Sequence, residues 1–362
     1  MATVWSHRMY TPDDMDQIFE LVKAVWGQKL KIPERTQWIE GWKWLFVNNP
    51  AGNSIIWLAE HNHKIVGEYP LVMIDMKVGN RLAKAGQIAD TMTHPQYRRQ
   101  GIAFILGRES LSLLEEQKAM LAFGFPTTEA YPLHMNSGWI DVCSIQTLIK
   151  PLNLKNMVKG YLTHDDQLIN TFSKFGDLLI KTIFRAKKPS VVDGLTISEI
   201  FHFDDRYNEF WERISKDYRI IAVRNKEYLN WRYIDAPNAK YTIYVAERNE
   251  MICGYMVLEN KYCRGLPIGR ILDIAAPLDQ QIVIQCLISK AIEHFERKEA
   301  DAIFSNIISN RYLHSFLKNG FLPYPISKNR FIAYNASPNI PDGYLKNPKN
   351  WFIQLGDLPM VF

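Results

Sequence analysis

The second half of this sequence repeats the first, and the repetition restricts the possible folds more than any other feature. Residues recur at a displacement of 187 positions and, further along the chain, of 182: Trp44, Pro50, Ala59, Glu60 and Gly67 become Trp231, Pro237, Ala246, Glu247 and Gly254, and Pro95, Gly138 and Trp139 become Pro277, Gly320 and Phe321. Such a shared period indicates a duplicated domain. A chain of 362 residues is long enough for two domains that each bury a hydrophobic core.

The repeat divides the chain into four predicted parts. We expect a first domain over 1–150, a helical linker over 151–192, a second domain over 193–336 and a C-terminal tail over 337–362. In the linker, apolar residues at helical spacing alternate with basic ones, which indicates an inter-domain helix or, alternatively, a basic amphipathic helix that contacts a membrane or RNA. The tail ends in apolar residues, so we expect it to pack on the body of the protein.

Helices and strands alternate in the first half. Thr11-Pro12-Asp13-Asp14 has the residues of a helix start, and a second helix is predicted to end before Asn48-Asn49-Pro50. Apolar runs bounded by turn residues predict five strands, at 54–60, 65–78, 82–90, 119–125 and 142–149. A short helix end is predicted at 134–137, before Gly138.

A polar turn joins the strand that ends at Asp90 to a helix that begins near Ile102. The first turn of a helix has unpaired N–H groups and the positive end of the helix dipole, so it is a natural anion site. Gly101 has no Cβ to block a ligand that approaches the backbone, and Arg98 and Arg99 add positive charge. The turn is therefore predicted to bind phosphate. It lacks the Gly-Lys-Ser/Thr of a P-loop and the three glycines of a dinucleotide-binding fingerprint.

The spacing Arg98-x-x-Gly101-x-Ala103, after His94-Pro95 and before an amphipathic helix, resembles the acyl-CoA signature of the GNAT (Gcn5-related) N-acetyltransferases. The resemblance implies an α/β fold of two tandem GNAT-like domains, each a mixed, mostly antiparallel sheet flanked by helices. It also implies that the turn holds the coenzyme A pyrophosphate. The residues implied to bind acetyl-CoA are Thr91, Met92, Thr93, Arg98, Arg99, Gln100, Gly101, Ile102 and Ala103.

An amine must be neutral before it attacks the thioester, and an alkylamine with a pKa of ~10.4 needs about 4.6 kcal/mol to lose its proton at pH 7. A general base or a desolvating pocket is therefore expected. Asp90, at the end of the strand that feeds the turn, is a candidate base. The repeat has Asp273 at the matching place, which favours a structural role shared by both aspartates.

The departing thiolate needs a proton. Many GNAT enzymes supply it from a Tyr four residues before a Gly-aromatic pair, and this place is His134 here, with Tyr131 one turn earlier. His134, Tyr131 or solvent is the candidate donor, and a packing role for His134 is the alternative.

Only the first half is predicted to bind coenzyme. At the displacement of 182, Gln280, Val283 and Gln285 fall at the places of Arg98, Gly101 and Ala103. A branched side chain and lost positive charge both oppose phosphate binding there. Phe316 falls at the place of His134 and has no proton to donate.

The resemblance thus implies an acyl-CoA-dependent N-acyltransferase that moves an acetyl group to the primary amine of a small molecule or amino sugar. A FemABX-like aminoacyltransferase and a non-catalytic coenzyme A-binding protein are the alternatives. The formal charge of +5 is spread along the chain, so no nucleic-acid partner is expected. The sequence has no run of ~18 apolar residues and no zinc-ligand spacing, so we expect a cytoplasmic protein without a membrane span or a metal.

Overall fold

The computed structural model describes residues 5–28, 30–153, 156, 193–263, 265–308, 311–324 and 330–359. The linker predicted over 151–192 lies almost wholly outside these residues. The α-helices are α1 (Met15–Trp26), α2 (Arg35–Phe46), α3 (Ile102–Glu116), α4 (Tyr131–Met135), α5 (Arg206–Ile214), α6 (Lys226–Tyr233), α7 (Gln281–Arg297), α8 (Leu313–Lys318) and α9 (Asp342–Lys346). Within the described ranges, no helix is long and apolar enough to cross a membrane.

The strands are β1 (Ser6–Met9), β2 (Ile55–His61), β3 (Lys64–Val78), β4 (Arg81–Ile88), β5 (Met92–Thr93), β6 (Leu121–Gly124), β7 (Ile140–Ser144), β8 (Gln146–Pro151), β9 (Thr196–Ile200), β10 (Ile220–Ala222), β11 (Tyr241–Arg248), β12 (Met251–Cys263), β13 (Leu266–Ala275), β14 (Ala302–Ile307), β15 (Leu322–Pro323), β16 (Arg330–Asn335) and β17 (Trp351–Phe352). They form two mixed sheets that are flanked by helices.

Both sheets are mostly antiparallel, and each contains a parallel pair on its main path. The first runs β1-β2-β3-β4-β6-β16-β7, with β5 and β10 also paired to β3 and with β17 paired in parallel to β10. The second runs β15-β8-β14-β13-β12-β11-β9. The parallel pairs on the two main paths are β4 with β6 and β13 with β14. The helix α3 connects the first of these pairs and α7 the second, as a crossover between parallel strands requires. This arrangement confirms the predicted fold class.

The two halves exchange a strand. β16 comes from the second half and pairs antiparallel with both β6 and β7 of the first sheet. β8 comes from the first half and pairs antiparallel with β14 and β15 of the second. The prediction of one strand over 142–149 is therefore wrong: the chain leaves the first sheet after β7 and joins the second as β8. Its apolar run shows no Gly or Pro at the break, so the change of sheet has no local signal.

The duplication is visible at the contact between α2 and α6. Trp44 Nε1 donates a hydrogen bond to the carbonyl oxygen of Trp231 (2.7 Å), and Trp231 Nε1 donates one to the carbonyl oxygen of Trp44 (3.1 Å). The two rings stack at 5.2 Å. Equivalent residues thus make the same bond in both directions, as expected where two copies of one domain meet about a local two-fold axis.

The reciprocal bonds give a testable prediction. Trp44→Phe and Trp231→Phe should each lower the free energy of unfolding, because each leaves a buried carbonyl without its indole donor, at a cost of about 1–2 kcal/mol beyond the loss of ring size. Trp38→Phe is the control, since Trp38 is also buried in α2 but its Nε1 has no partner in the described part of the chain. Urea unfolding measures all three, and an equal loss in the control would contradict a role for these bonds.

Candidate active site

The predicted coenzyme residues surround an interruption in the central strand of the first sheet. β4 ends at Ile88, and the chain pairs with β3 again at Met92–Thr93. Between them, Asp90 has a left-handed φ of 39°. Pro70 lies opposite on β3, where it accepts a bond from Ala89 N–H (3.3 Å) but has no N–H to return. The missing donor explains why the ladder breaks at this point.

The turn that follows is shaped for an anion. A short 3-10 helix covers Pro95–Tyr97, and Gly101 is the N-cap of α3. Arg99 and Gly101 have left-handed φ values of 63° and 79°, a conformation that turns backbone N–H groups into a concave anion site. A Cβ built at Gly101 would meet no atom within 4 Å, so the space before this backbone is open. Arg98 and Arg99 are exposed beside it.

Two buried polar atoms beside the turn have no hydrogen-bond partner among the described residues: the hydroxyl of Thr91 and the amide oxygen of Gln100. A buried polar atom left without a partner costs about 1–3 kcal/mol. The phosphates and the two amides of coenzyme A carry both acceptors and donors that match a hydroxyl and an amide oxygen. These atoms therefore fit the predicted substrate.

The turn before α7 in the second half lacks the open glycine backbone of the first turn. The predicted equivalence of Val283 with Gly101 is wrong. A Cβ at Gly67 would meet Ile102 at 2.6 Å, and a Cβ at the equivalent Gly254 would meet Val283 at 3.0 Å. Val283 thus takes the place of Ile102 and not that of Gly101, because the second turn is one residue shorter. No glycine stands between Pro277 and α7.

Backbone amides of the second turn are also engaged within the protein. Leu278 N–H donates to the carboxylate of Asp217 (2.8 Å), and Gln280 N–H donates to the carbonyl oxygen of Pro277 (2.9 Å). A protein carboxylate already satisfies the first of these donors, which weakens any attraction for a phosphate.

His134 lies inside the core of the first half. It is 2% exposed and sits between the rings of Tyr69 and Trp139, with Nδ1 3.4 Å from the Tyr69 hydroxyl. Burial lowers the pKa of His134 to about 4, so the imidazole is neutral at pH 7. In the second half, the fully buried Phe316 occupies the matching place. These contacts describe a packing residue, and the proton-donor role of His134 stays a prediction.

Tyr131 lies at the start of α4 and is partly buried. Burial, and then a hydrogen bond with Asp141, raise the pKa of Tyr131. Asp141 also accepts a bond from Arg330 Nε (2.9 Å), and Arg330 belongs to the exchanged strand β16. The second half of the chain therefore helps to position this candidate donor.

Two carboxyl groups meet at the interrupted strand. Asp90 is partly exposed, and burial raises its pKa to about 6. Glu68, on β3 opposite Met92, is 1% exposed, and neither of its oxygens has a hydrogen-bond partner within the described ranges. Burial, and then the charge of Asp90, raise the pKa of Glu68 well above its usual range. Sequence reasoning missed Glu68, although a glutamate inside the apolar run 65–78 is a signal.

A groove of about 700 Å³ opens between α1, the start of β3 and the turn. Leu21 and Ile65 form part of its floor, and Glu20, His94 and Tyr97 are among its walls. Its lining also includes Gln96 of the 3-10 helix, so the groove borders the first part of the turn.

Comparison with known proteins identifies the family of the first half and the fold of the chain. Residues 6–139 match the family described as an acetyltransferase (GNAT) domain. The sequence has no match among curated proteins. Among solved structures, a GCN5-related N-acetyltransferase from Anabaena variabilis is 13% identical with a TM-score of 0.63, covering 92% of this chain and 73% of that one.

Two other structures share the fold. N-myristoyltransferase of Saccharomyces cerevisiae with bound myristoyl-CoA is 14% identical, with a TM-score of 0.60 over 92% of this chain and 83% of that one. A tandem GNAT protein from the clavulanic acid biosynthesis pathway is 14% identical, with a TM-score of 0.56 over 93% of this chain and 100% of that one. Residues 6–139 are therefore a GNAT domain, and the chain as a whole has a tandem GNAT fold.

The turn gives a testable prediction. Gly101→Trp should abolish acetyl-CoA binding, measured by calorimetry, because the new side chain projects into the open space before the backbone of the turn. Gly265→Trp is the matched control: Gly265 has a φ of 78° and open space around it, but it lies in the β12–β13 turn of the second half. Undiminished binding by folded Gly101→Trp would place the coenzyme elsewhere.

Proposed function

We propose that this protein is an acyl-CoA-dependent N-acyltransferase, whose first half binds acetyl-CoA and transfers the acetyl group to a primary amine. The observation that carries the proposal is the turn at the start of α3, where left-handed Gly101 faces open space between the helix N-terminus and two exposed arginines. The acceptor we propose is a small molecule or an amino sugar.

Direct attack within a ternary complex suits the site. Asp90 takes a proton from the acceptor ammonium, and the neutral nitrogen then attacks the thioester carbonyl carbon. As the C–N bond forms, the C–S bond breaks and coenzyme A leaves as a thiolate. The proton lost by the new amide nitrogen balances the charge of that thiolate, either through solvent or through Tyr131. Asp90 suits the first step because a base is most efficient when its pKa lies near the working pH.

A non-catalytic coenzyme A-binding protein is the second candidate. The burial of His134 favours it, because this residue stands where many GNAT enzymes have a catalytic tyrosine. Thiol release from acetyl-CoA, measured with a panel of amines, separates the two: release that depends on an amine supports the enzyme, and coenzyme binding without release supports the second candidate. Longer acyl-CoA donors in the same assay define the acyl chain.

The role of Asp90 predicts a pH profile. A protonated carboxyl cannot accept a proton, so kcat/KM should fall as the pH drops through about 6, where an ordinary aspartate would give a limb near 4. Asp90→Asn should lower kcat/KM by ~10²- to 10⁴-fold and remove this limb, with coenzyme affinity nearly unchanged. Steady-state kinetics between pH 5 and 8 test it, and an unchanged limb in Asp90→Asn would assign the titration to another group.

A further inference from the structure

The two carboxyl groups at the interrupted strand, Glu68 and Asp90, have structural equivalents in the second half. Glu68 and Tyr255 hold the same place in the two sheets, since their strand partners are Leu58 and Met92 in the first half and Val245 and Ala275 in the second. Asp90 precedes Met92 by two residues, as Asp273 precedes Ala275. The pair Glu68–Asp90 therefore corresponds to the pair Tyr255–Asp273.

In the second half, the guanidinium of Arg224 contacts the Tyr255–Asp273 pair. Arg224 is completely buried, and its Nε donates to Asp273 Oδ2 at 3.2 Å. The hydroxyls of Tyr255 and Tyr233 donate to the same oxygen, each at 2.9 Å. Arg224 Nη2 also donates to Asp357 Oδ2 at 2.8 Å, in the C-terminal segment. A cation of the protein thus compensates the buried aspartate of this half.

The Glu68–Asp90 pair has two carboxyl groups where the second half has one, and the described residues place no protein cation against it. Glu68 replaces the tyrosine hydroxyl with a second carboxyl group, and both of its oxygens lack a partner in the part of the chain that the structure describes. Within the same ranges, no basic side chain forms a salt bridge with Glu68 or Asp90. A buried carboxyl without a partner destabilises a fold. A cationic ligand would supply the missing partner, as Arg224 does in the second half.

We propose that the Glu68–Asp90 pair binds the reacting cationic group of the acyl acceptor, an alkylammonium. Asp90 is the partly exposed member and contacts the cation directly, whereas Glu68 lies behind it. A bound cation favours the ionised form of a nearby carboxyl, so Glu68 supplies a second negative charge when the cation is present. The acceptor class is then a small aliphatic amine that is positively charged in solution. This inference rests on the proposed function for the chemistry that follows binding, but the binding itself is testable without turnover.

Binding of simple cations tests the pair. Agmatine and putrescine are titrated by calorimetry into the full chain, with and without saturating coenzyme A, and 1,4-butanediol serves as the neutral analogue. We expect both cations, and not the diol, to bind. Glu68→Gln, which keeps the shape and removes the charge, should weaken agmatine at least ~10-fold. Tyr255→Phe, at the equivalent place of the second half, should bind it like the wild type.

The outcomes separate this inference from the proposed function. No cation binding by the wild type, or equal agmatine affinity in Glu68→Gln, would refute the acidic pair as a cation site, even if coenzyme A binds normally. Failure of the wild type to bind coenzyme A or to release thiol would refute the proposed function, while the cation titration still decides the role of the pair.

Thermal unfolding provides a readout that a merely structural Glu68 would not give. Glu68→Met removes a buried carboxyl that has no partner among the described residues. We therefore expect its Tm to rise by about 2 °C or more while cation binding is lost. Tyr255→Phe removes a hydrogen bond to Asp273, so its Tm should fall. A fall in Tm for Glu68→Met like that for Tyr255→Phe would identify Glu68 as a structural residue and overturn the inference.

Discussion

Each of the two sheets contains a strand from the other half of the chain, and this exchange is the constraint on which the rest of the structure depends. β16 lies between β6 and β7, so the first sheet is continuous only when the second half is folded against it. The same strand brings Arg330 to Asp141, which in turn contacts Tyr131. The second half therefore contributes to the candidate site, even though its own turn lacks the glycine and the arginines that are predicted to bind phosphate.

The two halves share a framework and differ in a few residues that change its chemistry. Pro70 stands where the second half has Val257. The strand ends opposite the proline and pairs again at Met92, whereas β13 continues past Val257 with a shift of register. At the acidic pair, a second carboxyl stands where the other half has a tyrosine hydroxyl. Each change costs stability in the first half: Asp90 is left-handed, and Glu68 has no hydrogen-bond partner among the residues that the structure describes. Costs of this kind are typical of functional sites, where local rules of stability are broken.

Much of this could be predicted from the sequence. The period of 187 residues identified the duplication, and the repeated Trp44 and Trp231 contact each other across it. The polar turn before Ile102 was predictable because glycine and arginine have specific uses at a helix start. The strand exchange was not, because periodicity shows that a segment is a strand without showing which sheet it joins. The equivalence of Gly101 and Val283 failed because a fixed displacement cannot register a one-residue deletion inside a turn.

The stoichiometry of acetyl-CoA binding to the full chain tests the central claim most directly. The two halves have the same fold, so fold alone would allow two coenzymes, whereas the geometry of the two turns allows one. We expect calorimetric titration to give one acetyl-CoA per chain. Two per chain would show that a turn without glycine or arginine binds the coenzyme as well, and would contradict the assignment of the site to the turn that precedes α3.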